Sequence, residues 1–210
     1  MGNRTLLALA AAAALAAPRA GAAADDAWSL TLGVWGGVTR YDVLGLEHGL
    51  SSVSAQDGED LLDGNFDSVG ASAILRLGWF EVGALYEGTA LDADARSEVL
   101  TPLVGFKWDL TDSLRFEALA ELGGHRIADI GSGTELPESV WLPYVGVRPG
   151  LSFRMPLGPT RLVLSATPFA RWDIVKKDVS VKTSAGSDTR TVYEAGGTTF
   201  GVVGGVGIEL

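Results

Sequence analysis

The sequence predicts an all-β chain, an eight-stranded antiparallel up-and-down transmembrane β-barrel with its apolar face turned to lipid. Three observations predict it. Apolar and polar or glycine residues alternate with period two in eight successive segments. The connections between these segments are alternately long and polar, then short. No stretch after Asp25 reaches the 18 or so consecutive apolar residues of a spanning helix, although the chain is apolar overall.

Composition narrows the class further. The 210 residues contain no Cys, which excludes disulfide scaffolds, thiolate metal sites and cysteine nucleophiles. Sixteen basic against 26 acidic residues, a balance of −10, argue against nucleic-acid binding. Charged residues make up only 20%, so the chain is not an acidic disordered one. Glycine, at 28 residues, is about twice its average usage of roughly 7%.

Residues 1–24 read as a secretory signal peptide. Arg4 supplies the positive start, Leu6 to Ala17 the short apolar run, and Ala22-Ala23-Ala24 a small-residue cleavage site before Asp25. Residues 25–210 are then the barrel domain, with a net charge of −12 once Arg4 and Arg19 are removed.

The eight segments follow in order. The first alternates Trp28, Leu30, Leu32, Val34 and Val38 with Ser29, Thr31, Gly33, Trp35 and Gly37. The second sets Val69, Ala71, Ala73, Leu75 and Leu77 against Ser68, Gly70, Ser72, Ile74 and Arg76. The third, shorter, sets Val82, Ala84 and Tyr86 against Gly83, Leu85 and Glu87, after a turn at Phe80-Glu81. The fourth runs from Leu100 to Leu110 with Lys107 and Asp109 on its polar face, and the fifth from Leu114 to His125 with Arg115, Glu117 and Glu121. The sixth, Trp141 to Met155, turns Tyr144, Arg148 and Arg154 to the polar side; the seventh, Leu162 to Ile174, turns Arg171 and Asp173. The last, Thr199 to Leu210, carries Glu209. Most approach the roughly 9–11 residues that a tilted strand needs to cross a bilayer.

Which face lies outside follows from charge. The apolar face of these segments carries no charged residue, and the other face is rich in glycine, which suits a cramped interior. A soluble barrel with an apolar interior is the alternative. Pro102, Pro143, Pro149 and Pro168 fall inside segments, where each removes a ladder donor that a closed barrel has no free edge to hide.

Residues 28–210 resemble the small eight-stranded outer-membrane barrels of Gram-negative bacteria, the OmpA-type transmembrane domain and its relatives. The resemblance rests on strand number, loop asymmetry and a closing strand with Phe200, Val202, Val206 and Ile208 at alternate positions. That strand ends in Leu210, where the family usually has Phe or Trp. The resemblance implies outer-membrane localisation and insertion by the outer-membrane assembly machinery. Outer-membrane lipid and lipopolysaccharide are the expected partners, and the protein is expected to be a monomer.

The inward face is expected to hold Arg76, Lys107, Arg115, Arg148, Arg154 and Arg171 against Glu87, Asp109, Glu117, Glu121, Asp173 and Glu209. Six charges of each sign can pair, as a low-dielectric enclosure demands. A charge-paired, closed lumen is the first functional reading, with a structural or surface-interaction role; a narrow porin-like channel for ions or small solutes is the second. No cofactor is expected. Asp57, Glu59, Asp60 and Asp63, in the first long loop (Arg40–Asn65), are weak candidates for a calcium or magnesium site but lack EF-hand spacing. The fourth long loop is basic, with Lys176, Lys177, Lys182 and Arg190, and suits anionic lipopolysaccharide groups. No enzyme is expected: His125 points to the lumen, and Ser132 or Ser139 beside it forms no His-x-Ser or Gly-x-Ser-x-Gly motif.

Overall fold

A computed structural model describes residues 28–46, 63–91, 96–128, 139–182 and 190–210. Among the described residues nine strands form: β1 Trp28–Leu46, β2 Asp63–Leu77, β3 Phe80–Ala90, β4 Arg96–Asp109, β5 Leu114–Ala128, β6 Val140–Leu157, β7 Thr160–Asp173, β8 Lys177–Lys182 and β9 Arg190–Glu209. Each pairs antiparallel with its chain neighbour as far as β7; β7 then pairs with β9, and β9 with β1. Eight strands therefore close the barrel. The ninth, β8, is a short strand of the last long connection, paired with the upper part of β9.

The connection lengths alternate as the sequence predicts. At one end, Gly78-Trp79 and Gly158-Pro159 join strands in two-residue turns, each opened by a glycine at positive φ (61° and 62°). Such turns match the right-handed twist of the flanking strands. Among the described residues, the strands run further toward the long-loop end than periodicity indicates. Arg40 and Asp42, assigned by sequence to the first loop, lie in β1.

Burial decides the face. The side chains withdrawn from the surface include Arg76, Arg115, Glu81, Glu87 and Glu121, while Trp28, Trp79, Leu100, Leu122, Val147 and Val202 are exposed. Water would penalise both halves of this arrangement; hydrocarbon outside and a paired polar interior reverse the sign. Aromatics ring the short-turn end, with Trp79 stacked on Phe106 at 5.1 Å and Trp108 beside Phe116 at 5.6 Å. Trp141, Trp172 and Phe200 stand toward the other end. Such belts mark membrane–water interfaces.

The prolines have a common solution. The Ile174 N–H donates to the Pro143 carbonyl at 2.8 Å, so odd-numbered residues of β6 occupy hydrogen-bonding positions toward β7. The pairing Val147↔Ala170 lapses and resumes at Leu151↔Ala166, which sets Pro149 opposite Pro168. The two donors that this pair would exchange are the two that proline lacks. One interruption absorbs both residues. Pro102 falls in a similar lapse between β4 and β5, from Leu100↔Gly124 to Leu103↔Glu121.

Candidate functional site

The lumen is the site that this fold builds, and β5 serves as its ruler. Alternate residues climb from the short-turn end as Arg115, Glu117, Leu119, Glu121, Gly123 and His125. Each marks a layer to which the other strands contribute at matching register.

The lowest layer is an ion-pair network of four carboxylates, four guanidinium groups and Lys107. Arg76 reaches Glu81 Oε1 at 2.5 Å through Nε and Glu117 Oε1 at 2.7 Å through Nη2, and its Nη1 donates to Thr31 Oγ1. Arg115 spans Glu209 Oε2 at 2.7 Å and Asp109 Oδ1 at 2.8 Å. Arg154 meets the same Asp109 oxygen at 2.9 Å, Lys107 stands 3.6 Å from Asp109, and Arg161 lies 3.1 Å from Glu209.

Above it lies an apolar waist. Ile74, Leu85, Leu103 and Leu119 form a buried cluster with Trp35 packed against it. These side chains come from the face that alternation marks as polar, so the lumen is layered rather than uniformly charged.

The upper charged layer is compact and neutral. Glu121 accepts from Arg148 Nε at 2.6 Å, Arg171 Nε at 2.5 Å and the Tyr144 hydroxyl at 3.2 Å. Arg171 Nη2 also donates to Glu87 Oε2 at 2.7 Å. Both guanidinium groups stand over the Phe169 ring, Arg148 at 4.6 Å and Arg171 at 4.4 Å from its centroid. Cation–π attraction thus adds to the pairing where the cations are desolvated.

The last layer before the long loops is a hydroxyl network. The Tyr41 hydroxyl donates to Thr89 and Ser97, and Ser68 bonds both Thr39 and Thr89. Ser97 Oγ lies 2.6 Å from His125 Nε2, while His125 Nδ1 stands 3.9 Å from Asp173 Oδ1, beyond hydrogen-bond range. Asp173 accepts from the Gly197 amide at 3.0 Å.

Eleven of the twelve charges named from sequence meet in the two ion-pair layers; Asp173 does not, and is held by a backbone amide and faces His125. Two charges were missed. Glu81 belongs to β3, not to a turn, because Gly78-Trp79 closes the hairpin and sets Glu81 opposite Arg76. Arg161 enters because β7 begins at Thr160. Pairing also runs between strands rather than along β5: Glu117 takes Arg76 at 2.7 Å, with Arg115 at 3.9 Å. Of the loop residues, Asp57, Glu59 and Asp60 lie outside the described residues, as do residues 1–24; Asp63 opens β2 opposite Asp42. Lys177 Nζ donates to the Trp141 carbonyl at 2.7 Å.

An outward apolar band, a charge-filled interior and closure by eight antiparallel strands define an eight-stranded outer-membrane β-barrel. The chain is similar in structure to neisserial surface protein A, with a TM-score of 0.55 at 10% identity over 88% of this chain and 97% of that one. It is similar also to the N-terminal barrel domain of Pseudomonas aeruginosa OprF, with a TM-score of 0.50 at 14% identity over 87% and 97%. No protein-family model and no curated protein matches the sequence.

Proposed function

We propose that the protein is an integral outer-membrane barrel with a closed lumen and a structural or surface-interaction role, presenting its long loops outside the cell. The observation that supports this reading most is the stacking of two ion-pair layers on either side of an apolar waist. An ion moving along the axis would have to break the Glu121 contacts with Arg148 and Arg171, cross Leu85 and Leu103, and then break those of Arg76. Eight strands leave room for little beyond these side chains.

The fold of the similar barrels supports outer-membrane localisation, after cleavage of residues 1–24 and insertion by the assembly machinery. Arg40 and Arg126 lie toward the long-loop end of outward faces, where lipopolysaccharide phosphates would meet them. The protein works as a monomer without a cofactor, and it is not an enzyme. Ser97, His125 and Asp173 resemble a nucleophile–base–acid series, yet all three are buried and Ser97 already accepts from Tyr41.

Planar-bilayer recording on the purified protein tests the reading. The wild type is expected to give no reproducible conductance steps. Steps that change in an Arg148→Ala variant would establish the narrow channel instead.

A further inference from the structure

The hydroxyl layer beneath the long loops offers more acceptors than one arrangement of its protons can serve. The Tyr41 hydroxyl stands 3.0 Å from Ser97 Oγ and 3.1 Å from Thr89 Oγ1, yet it carries one proton and serves one of them at a time. Ser97 Oγ lies 2.6 Å from His125 Nε2, so the protonation of that nitrogen decides which of the two donates. Beyond Thr89 the series continues through Ser68, at 2.6 Å, to Thr39, at 2.7 Å. All six residues are buried, so a bond lost within the series leaves a polar group without water to replace it.

These contacts allow two arrangements. With His125 neutral and its proton on Nδ1, Ser97 donates to Nε2 and accepts from Tyr41, while Thr89 donates to Ser68 in a separate chain. With both ring nitrogens protonated, Nε2 donates to Ser97, Ser97 turns its proton to the Tyr41 oxygen, and Tyr41 donates to Thr89. One proton is gained at Nε2, and the hydroxyl protons only rotate. The two chains become one, which runs through β5, β4, β1, β3 and β2.

We propose that His125 is a proton-operated latch on the long-loop mouth of the barrel, which tightens when the ring takes up a second proton. The charges around the ring favour that response. Asp173 on β7 is the charge nearest to it, with Oδ1 3.9 Å from Nδ1, and a protonated ring is drawn to it. Tyr41 on β1 lies against the ring at 5.7 Å, and Leu142 on β6 stands opposite it in register. One layer down, Glu87 and Arg171 hold each other at 2.7 Å, and Tyr144 donates to Glu121. Arg126 and Glu98, on the outward face, pair at 3.0 Å. Asp173 in turn accepts from the Gly197 amide, at the point where β9 leaves β7 for β8. The latch thus joins the mouth of the barrel to the base of the last long connection. It operates whether or not the lumen below conducts.

The chain has two histidines, so His48→Gln leaves His125 as the sole imidazole for ring-nitrogen NMR of the full chain in lipid nanodiscs. The neutral ring is expected as the Nδ1–H tautomer at about pH 8, and as the doubly protonated form at about pH 5, across the ordinary histidine range. Over the same range the Gly197 amide is expected to gain about three-fold or more in protection from hydrogen exchange, measured against His125→Gln at each pH. Asp173→Asn should abolish that gain while the ring still titrates. The tautomer is read with the mouth intact, which keeps the test open if His125→Gln or Asp173→Asn fails to fold. A neutral ring that carries its proton on Nε2, a ring still neutral at the acid end, or equal Gly197 protection at both ends overturns the latch.

Discussion

Arg76 and Glu81 face each other across the first two-residue turn, with Arg76 Nε 2.5 Å from Glu81 Oε1 and both side chains buried. The turn geometry makes the pair: Leu77 opposite Phe80 leaves Arg76 no other opposite residue on β3. The pair anchors the lower network, since the same guanidinium also holds Glu117 and reaches Glu209 at 3.5 Å.

Removing one partner leaves a buried charge uncompensated, which costs about 3–5 kcal/mol. Arg76→Met is therefore expected to lower the unfolding free energy by about that much, because it strands Glu81 and Glu117 together. Arg76→Met with Glu81→Met should recover part of the loss. Urea unfolding in lipid vesicles measures both, and a double variant no more stable than Arg76→Met alone contradicts the pairing.

Glu121 accepts from three donors, so Glu121→Ala is expected to destabilise by about 3–5 kcal/mol, leaving Arg148 and Arg171 to share Glu87 alone. The same change empties the upper plug. Conductance steps in Glu121→Ala, absent from the wild type, would locate the axial barrier at this layer.

Gly37 and Gly204 separate close packing from open surface. A Cβ at Gly37 would fall onto the Val202 carbonyl of the neighbouring strand, whereas at Gly204 the nearest atom is 3.9 Å away. Gly37→Ala should cost about 1–3 kcal/mol through forced movement of the β1–β9 pair. Gly204→Ala should leave the urea midpoint within experimental error, and the reverse order would place the glycines on the wrong faces.

The outward face must repel charge at mid-membrane. Val104→Arg, in the middle of β4, is expected to cost about 2–4 kcal/mol of folding free energy in vesicles. An unchanged midpoint would mean that Val104 does not face lipid.

Ser97 provides the check on catalysis. A fluorophosphonate that labels activated serines is expected to leave it unmodified, with the same faint background in Ser97→Ala and wild type. Labelling lost in both Ser97→Ala and His125→Ala would make the Ser97–His125 pair a working nucleophile and base.

The eight barrel strands, the alternation of turns and loops, the outward face and most of the lumen charges are legible in the order of residues alone. Those properties follow from side chains alternating with period two along each strand, which is written in the order of residues. The sequence could not place Glu81, because a turn shifted by two residues separates a surface turn from a buried ion pair. Nor could it read Ile74, Leu85, Leu103 and Leu119 as one waist, since they come from four strands and meet only when the barrel closes. Pro149 and Pro168 look like two separate faults in the chain. Only the β6–β7 register makes them one, because hydrogen-bond partners in a sheet are set by the neighbouring strand and not by the strand itself.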